Sequence, residues 1–492
     1  MNGLDWAIVL LYAVLIIGIG TLSSRRQTGT DEYFRGSRRL PWWAIGISII
    51  ATAFSAASLL GGPGEGYGHG FLWIQLQLGD LLGYLLVCAI FIPVFVRLNL
   101  TTAYEYLESR FDAKTRSLGA LCFALFVVVR LGALLYGAAL VFSETAGVAL
   151  SVAILAVGVV SILYTFAGGI AAVIWTDVLQ FFMILIGVSV CLLVVAANVD
   201  GGLLAISETA RQAGRLRAFD PAWNPGSIRT LPTALIAYGI LAFAVAGTNQ
   251  QSVQRYVSCP DARSAQKAAM LAWLTGLIGV AAALCLGVFL FGFYQSHPGR
   301  LPEDVRPDTI LPIFIANELP AGVAGLLVAA VFAAAMSSID SALHSLSTSG
   351  VVDFYRRYLR RGASEHHYLR VARHLVLFWG MVGIAMAFYV ARTGESLLPF
   401  LVEYTSYFIG PVLGLFVLGV LVGRANGNGA FWGALASVAA LILTLRLGPW
   451  AIPGIWFCAI TAPLTVVFGL LLSLPGKAPV SDPANDLATA DR

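Results

Sequence analysis

Long apolar segments alternate with short polar stretches along almost the whole chain. A helix needs about 20 mostly apolar residues to cross the hydrocarbon core of a bilayer. The segments of that kind lie at approximately 4–22, 41–61, 71–97, 118–143, 147–166, 170–198, 232–250, 267–294, 321–349, 372–392, 397–421, 428–446 and 449–473. No Lys or Arg precedes the first segment and a basic cluster follows it, so we expect no cleavable signal peptide. The pattern predicts an all-α polytopic membrane protein with about 13 transmembrane helices.

The composition excludes the main soluble classes. Charged residues make up 11% of the 492 residues, against roughly 25% in an ordinary soluble protein, so a soluble fold of this size could not cover its surface. The net charge of +4 is small and the basic residues are scattered, which excludes nucleic acid as a partner. The six cysteines form no CxxC pair and predict neither a disulfide framework nor a zinc site.

The basic residues predict the orientation in the membrane. Most of them face one side if the N-terminus lies outside the cell and the C-terminus lies in the cytoplasm, as the positive-inside rule favours. The clusters on the inner side are then Arg25, Arg26, Arg35, Arg38 and Arg39, and later Arg356, Arg357, Arg360 and Arg361. We therefore expect a multi-pass protein of the inner (plasma) membrane, in contact with membrane lipid.

The order of the segments predicts two repeats of opposite topology. Without the first segment and the last two, ten remain, in two groups of five; an odd number inverts the second group. Each group begins with a glycine-interrupted segment, and each has an amphipathic loop helix after its second segment, at Thr102–Phe111 and Asp308–Leu319. In the first group the helix is expected to stop at Gly61-Gly62-Pro63-Gly64. Paired interrupted helices in inverted repeats indicate a transport site near the bilayer midplane.

The predicted domain organisation follows from this division. The units are a peripheral first helix with a basic cytoplasmic loop (1–40), the first repeat (41–198), an extracellular loop (199–231), the second repeat (232–421), two additional helices (422–473) and a disordered cytoplasmic tail (474–492).

Ionisable residues inside the apolar segments are candidates for function, because each costs about 2.5–3.5 kcal/mol on insertion scales. They are Asp80, Arg130, Asp177, Asp340, His344 and Glu403, and we assign no role to the last two. Arg130 presents a planar guanidinium that suits a substrate carboxylate. It would equally suit an internal ion pair, or a cap on the carbonyls of a broken helix. Asp80 can simply hydrogen-bond to Gln77 one turn away, and Asp177 can be interfacial.

Two stretches combine small and hydroxyl-bearing residues. In Ala333–Ser349, the side chains of Ser337, Ser338 and Ser341 follow helical spacing beside Asp340. In Ser48–Gly68, Thr52, Ser55 and Ser58 do the same. Such stripes offer the oxygen ligands that hard cations prefer. They also allow close helix packing, and both interpretations stay open on the residues alone.

At these residues the chain resembles the sodium/solute symporter family, which includes sodium-coupled sugar, proline, iodide, monocarboxylate and sialic acid carriers. The resemblance runs from about Asp31 to Arg424. It rests on the motifs DEYFRG at Asp31–Gly36, TTAYEYLESRF at Thr101–Phe111, GGIAAVIWTDVLQ at Gly168–Gln180, QRY at Gln254–Tyr256 and FAAAMSSIDSALHSLS at Phe332–Ser347. Within the family the motifs are most similar to those of bacterial sodium/sialic acid carriers. The resemblance implies a leucine-transporter-like core of five plus five inverted helices, with no organic cofactor.

The same resemblance implies a set of site residues. The shared sodium site would use the carbonyls of Ala51, Phe54 and Ala334 with the hydroxyls of Ser337 and Ser338. A second sodium, present in some members, would use Ser337 again with Asp177, Asp340 and Ser341. Asp340 stands where the sialic acid carriers have serine, so one or two sodium ions are expected, with a proton or fixed charge as the alternative to the second. The substrate residues would be Ser55, Ser58, Trp73, Gln77 and Arg130.

These observations predict a secondary transporter and not an enzyme. We expect sodium-coupled symport of a small carboxylated solute, with sialic acid favoured, by a chain that functions as a monomer. The alternatives are another cargo, such as a monocarboxylate, proline or a neutral sugar, or more remotely a non-transport membrane subunit. The latter would need histidine pairs, cysteine ligands or an acid–base cluster, for which the sequence offers no convincing set.

Overall fold

All regular structure in the described part of the chain is helical. The computed structural model describes residues 2–24, 30–38, 40–98, 100–166, 169–302, 305–394, 397–448 and 452–474. Ten helices in these ranges are long and apolar enough to cross a membrane. Three shorter apolar stretches of helix lie at Gly3–Ile16, Trp42–Ala53 and Leu150–Leu163. The all-α polytopic fold is therefore confirmed, while the count of 13 spans stays a prediction. The predicted disordered tail lies outside the described residues from 475 onward, as does the basic cluster at 25–29.

The first half of the chain follows the predicted order. Its helices are α1 (Gly3–Ser24), α2 (Thr30–Arg35), α3 (Trp42–Ala53), α4 (Ala56–His69), α5 (Leu76–Leu86), α6 (Ile92–Arg97), α7 (Tyr104–Arg110), α8 (Ala113–Ala146), α9 (Leu150–Thr165) and α10 (Ile170–Ala197). A 3₁₀ helix (Gly70–Gln75) joins α4 to α5, and a π-helical turn (Val87–Phe91) joins α5 to α6. Helix α1 is fixed to the second half, because Asp5 accepts backbone N–H bonds from Gly322 and Gly325.

The second half repeats this order. After α11 (Gly202–Gln212), in the predicted extracellular loop, its helices are α12 (Leu231–Thr233), α13 (Gly239–Thr248), α14 (Gln250–Tyr256), α15 (Ala262–Ser296), α16 (Ile310–Asn317), α17 (Val323–Ser349), α18 (Glu365–Thr393) and α19 (Leu397–Leu421). A π-helical turn (Ala234–Tyr238) joins α12 to α13, and a ten-residue π-helical segment (Gly350–Leu359) continues α17. The two additional helices are α20 (Gly427–Leu447) and α21 (Trp456–Ser473).

The first broken helix is interrupted earlier than we expected. The prediction of a stop at Gly61-Gly62-Pro63-Gly64 was wrong, since these residues lie inside α4. The break is at Phe54 and Ser55, where Ser55 is extended (φ −92°, ψ 177°). The glycine-rich stretch serves close packing instead: a Cβ atom on Gly66 would lie 2.3 Å from the carbonyl oxygen of Leu284 in α15.

The second half is broken at the corresponding place. Asn249 is extended (φ −74°, ψ 124°) between α13 and α14, and its side chain accepts the backbone N–H of Gln251 at 3.0 Å. Both repeats thus begin with a helix that breaks partway along its length. Non-helical backbone at membrane depth is tolerated where it is buried in protein or lines a cavity, so the two breaks indicate where a site can form.

The two loop helices hold opposite ends of α19. The α7 helix buries Tyr104 and Leu107, as its amphipathic pattern predicted. Its Arg110 donates to carbonyls at the C-terminal end of α19 and just beyond it, including those of Gly419 at 3.0 Å and Val422 at 2.9 Å. At the other end, Asp308 accepts the N–H of Leu397 at 3.0 Å. A cation at the C-terminus and a carboxylate at the N-terminus both complement the helix dipole. We call the end of the bundle that carries α7 and Gly350–Leu359 the basic end.

Candidate substrate and sodium sites

A cavity of about 230 Å³ lies beside the break between α3 and α4. All five substrate candidates from the sequence line it: Ser55, Ser58, Trp73, Gln77 and Arg130. They come from the break itself, from α4, from the 3₁₀ helix, from α5 and from α8, so residues far apart in the chain converge on one space. The wall is mixed, with aromatic and aliphatic side chains beside a few polar groups, as is typical of small-molecule sites.

Arg130 contacts the backbone of the broken helix. Its Nη2 atom donates to the carbonyl oxygens of Thr52 at 3.1 Å and Ala53 at 3.4 Å. Of the alternatives open for this arginine, the cap on broken-helix carbonyls is therefore present. No carboxylate in the described part of the chain lies within ion-pair distance of it. Its Nε atom is buried without a hydrogen-bond partner among the residues that the structure describes, and this donor remains for a ligand in the cavity.

The cavity also has polar lining residues to which sequence reasoning gave no role in the site. They are Thr52, Asp80, Tyr84, Tyr238, Asn249, Gln251, Ser252, Arg255, Trp273 and Thr405. Four of them lie at or after the second break, at Asn249, Gln251, Ser252 and Arg255. The glycine-interrupted segment and the QRY motif were the sequence features that could have indicated them. Asp80 accepts a hydrogen bond from Gln77 at 3.0 Å, as the sequence analysis allowed. Even so, both side chains belong to the cavity wall.

The predicted first sodium ligands converge where α3 ends against α17. The Ser337 hydroxyl donates to the carbonyl oxygen of Ala51 at 2.8 Å and lies 3.1 Å from that of Ala334. The Ser338 hydroxyl donates to the carbonyl oxygen of Thr52 at 2.8 Å and lies 3.3 Å from that of Ala334. Four of the five predicted ligands thus form a chain of contacts, from the Ala51 carbonyl through Ser337 and the Ala334 carbonyl to Ser338. The fifth predicted ligand was the carbonyl of Phe54. The carbonyl of the α3 end that Ser338 contacts is that of Thr52.

The chemistry of this oxygen cluster suits a monovalent cation. Carbonyl and hydroxyl oxygens are hard, neutral donors. Each hydroxyl has an alternative acceptor on its own helix, the Ala334 carbonyl, so its hydrogen can turn away from α3. The oxygens of Ala51, Thr52 and the two serines would then face one another with free lone pairs. Oxygens arranged in this way repel one another, and a bound cation would stabilise them.

The predicted second sodium ligands make contacts in two places. Asp340 accepts the Thr165 hydroxyl of α9 at 2.5 Å. Asp177 and Ser341 instead share the guanidinium of Arg255, whose Nη2 lies 2.9 Å from the carboxylate Oδ2 and 2.6 Å from the hydroxyl. The interfacial interpretation of Asp177 was wrong, because this residue is fully buried. Its other oxygen, Oδ1, is buried without a hydrogen-bond partner among the described residues.

Arg255 closes the cavity toward the basic end. Its side chain reaches the cavity wall and is 1% exposed. Besides Asp177 and Ser341, it donates to the Ser48 hydroxyl at 2.7 Å, and Ser48 in turn donates to Asp177 at 2.5 Å. One guanidinium therefore joins α14 to α3, α10 and α17. Opening a path through this layer requires these contacts to separate.

Comparison with known proteins gives one consistent result. Residues 33–437 match the model of the sodium:solute symporter family. The chain is 32% identical over 444 residues to the sodium/sialic acid symporter NanT of Aliivibrio fischeri, which covers 89% of this chain and 87% of that protein. It is also 32% identical over 484 residues to the sodium/sialic acid symporter SiaT of Proteus mirabilis, which covers 97% and 96%. The human sodium/iodide cotransporter is 30% identical over 451 residues, covering 90% of this chain and 70% of that protein.

Solved structures show the same similarity. A substrate-bound, outward-open Na⁺-coupled sialic acid symporter superimposes with a TM-score of 0.88 at 30% identity, covering 98% of this chain and 99% of that one. The nucleobase-cation-symport transporter Mhp1, in a closed conformation, superimposes with a TM-score of 0.62 at 16% identity over 92% of this chain and 97% of that one, which shows a shared fold. These neighbours bear out the prediction of a leucine-transporter-like helical core.

The Arg255–Asp177 pair predicts a specific pattern of stability. Asp177→Asn and Arg255→Met should each lower the free energy of unfolding by about 3–5 kcal/mol, because each leaves a buried charge without its partner. The double variant should lose clearly less than the sum of the two. Thermal unfolding of the purified proteins in detergent measures all three. Strictly additive losses would mean that the two charges do not compensate each other.

Proposed function

The chain belongs to the sodium:solute symporter family, and on this premise we propose that it couples inward sodium movement to uptake of a small carboxylated solute, with sialic acid favoured. It is a transporter and not an enzyme. The observation that carries the proposal is the convergence of the Ala51 and Thr52 carbonyls with the Ser337 and Ser338 hydroxyls next to a cavity that contains Arg130.

The proposed cargo follows from the cavity wall and the relatives. The buried Nε of Arg130 has no hydrogen-bond partner in the described part of the chain, and a carboxylate is the acceptor that a guanidinium binds most strongly. Ser55, Ser58 and Gln77 add groups that can hydrogen-bond to hydroxyl or amide substituents, and Trp73 adds an apolar surface. Two of the most similar relatives are sodium/sialic acid symporters, and sialic acid carries all these groups. A neutral sugar would offer Arg130 only uncharged hydroxyl oxygens, which bind a guanidinium more weakly than a carboxylate does.

Thr52 connects the two proposed sites. Its carbonyl accepts hydrogen bonds from Ser338 on the sodium side and from Arg130 on the cavity side. A sodium ion that draws on this carbonyl would weaken its bond to Arg130 and leave the guanidinium to the substrate. In this proposal, sodium binding and substrate binding favour each other because they act on the same backbone oxygen. The coupling is reciprocal, as linkage requires.

The proposed cycle uses sodium to select a conformation. The ion bridges α3 and α17, so it binds only while the two helices are in contact and shifts the equilibrium toward that state. Loss of the bridge, with separation of the Arg255 layer, would open the path to the basic end. Each sodium supplies about 2.3 kcal/mol per 100 mV of membrane potential, besides its concentration gradient. The direction requires the basic end to face the cytoplasm, with the N-terminus outside and the C-terminus inside.

The stoichiometry in this proposal is one or two sodium ions. The first would be held by the Ala51 and Thr52 carbonyls and by the Ser337 and Ser338 hydroxyls, whose hydrogens would point to the Ala334 carbonyl. The Oδ1 atom of Asp177, which has no hydrogen-bond partner among the described residues, supports a second ion beside Ser341, where the Arg255 charge is the competing cation. A solute with one negative charge would then move with net positive charge only if both ions bind. We further propose that the monomer is the functional unit of the plasma membrane protein, with the repeat boundaries 41–198 and 232–421.

Removal of either serine hydroxyl should abolish sodium-dependent uptake. In Ser337→Ala and Ser338→Ala the ion loses a ligand and α3 loses a hydrogen bond to α17, so uptake driven by a sodium gradient into proteoliposomes should fall at least tenfold. Ser345→Ala is the matched control, because this buried hydroxyl of the same helix bonds within α17, to the Ala342 carbonyl at 3.0 Å. Full sodium dependence in either test variant would contradict the sodium assignment.

Removal of the guanidinium should separate substrate binding from sodium binding. Titration calorimetry of the purified wild type should show sialic acid binding in sodium and none in potassium. Arg130→Gln should weaken that binding at least tenfold, since a charge-assisted pair is lost, while sodium still raises the unfolding temperature. Unchanged affinity in the variant would make Arg130 structural. Binding of another organic acid, but not of sialic acid, would replace the cargo and leave the sodium mechanism standing.

A further inference from the structure

A second cavity, of about 520 Å³, opens at the basic end of the bundle. We call it the arginine cleft, because its lining includes Arg35, Arg116, Arg356, Arg357 and Arg361. They come from α2, from the first turns of α8, from the segment Gly350–Leu359 and from the loop that follows it. The cleft is remote from the cavity beside the α3 break and shares no lining residue with it.

Part of this positive charge is neutralised within the protein. Arg116 forms ion pairs with Asp353 at 2.7 Å and with Glu108 at 2.9 Å. Arg357 pairs with the same Glu108. Glu105, the one carboxylate in the described lining, accepts the backbone N–H groups of Thr101 and Thr102. These acids are engaged by the buried arginines and by the backbone.

Two arginines of the cleft have no acidic partner among the described residues. The guanidinium of Arg356 lies over the ring of Tyr368, 5.4 Å from its centroid. Arg361 donates its Nε to the Arg357 carbonyl at 2.9 Å. Both side chains belong to exposed residues at the mouth of the cleft. The cleft therefore presents at least two guanidinium groups whose remaining donors are free for an anion.

An aromatic and an aliphatic side chain are exposed beside the cleft. Tyr358 and Leu359, which adjoin it on the same segment, are 54% and 75% exposed. Exposed aromatic residues of this kind are typical of the membrane–water interface. Basic pockets between transmembrane helices on the cytoplasmic side are suited to anionic headgroups. Arginine is also the side chain whose planar fork matches a phosphate group with two parallel hydrogen bonds.

We propose that the arginine cleft binds a phosphate-bearing anion, held by Arg356 and Arg361. The phosphate can belong to an anionic phospholipid headgroup or to a soluble phosphate compound, and the chemistry of recognition is the same. The proposal is independent of the cargo and of the sodium site, so its test needs no transport.

The test measures anion binding to the full-length protein in detergent. The unfolding temperature is followed while short-chain phosphatidylglycerol, short-chain phosphatidylcholine or inorganic phosphate is added, and the apparent affinity is taken from the shift. Phosphatidylglycerol should stabilise the wild type, and phosphatidylcholine much less. The double variant Arg356→Gln/Arg361→Gln should bind about 30-fold more weakly, since each arginine near an anionic headgroup contributes about a fivefold factor.

The matched control is Arg360→Gln/Arg370→Gln. It removes the same charge from exposed arginines of the same region that do not line the cleft, and it should keep wild-type affinity. Stabilisation by inorganic phosphate alone, lost in the test variant, would support the cleft and identify a soluble ligand. Equal affinity in the test variant and the wild type, an equal loss in the control, or no stabilisation by any anion would each overturn the proposal.

Discussion

The organisation of this molecule depends on how the carbonyls of one broken helix are satisfied. Where α3 ends, inside the bundle, the helical hydrogen bonds stop and the carbonyls of Ala51 and Thr52 need other donors. The serines of α17 and the guanidinium of Arg130 supply them. A break that would be costly in lipid thus becomes a point where three helices meet. The same oxygens attract a cation, so the structural solution and the proposed ion site are one feature.

The other buried charges of the bundle are held by polar partners within the protein. Beneath the cavity, Arg255 and Asp177 hold four helices together without exposing either charge to lipid. At the two ends of α19, Arg110 and Asp308 bind the free backbone groups of the helix termini. The contacts of Arg255 and Arg110 join the first repeat to the second, whereas the contact of Asp308 lies within the second repeat. In a protein that must change shape, such polar contacts are the ones that can exchange partners, whereas the apolar helix faces mostly move as units.

Much of this was predictable from the sequence, and the failures have physical causes. Hydrophobic length predicts helices well, because the bilayer sets it. Intramembrane polarity was equally informative: an arginine such as Arg130 is rare at such depth, and Arg130 and Ser338 both donate to the Thr52 carbonyl. The position of the break was not predictable, because glycines at 61–66 serve unwinding and close packing equally well. Only the approach of α15, with the Leu284 carbonyl against Gly66, shows that they serve packing.

Arg255 was missed for a related reason. In the sequence it lies past the end of an apolar segment, where basic residues normally face water. Its burial depends on the second break, which turns α14 back into the bundle, and on an acid 78 positions earlier in the chain. Pairings of this kind are tertiary and leave no periodic pattern. The same applies to Asp340, whose contact with Thr165 links α17 to α9.

The central claim is that a sodium ion binds where α3 ends against α17. Equilibrium binding of radioactive sodium to the purified protein, in the absence of any solute, measures this most directly. The account predicts saturable binding of at least one ion per chain, and loss of that ion when both Ser337 and Ser338 are replaced by alanine. Binding of the same number of ions with the same affinity in that double variant would contradict it.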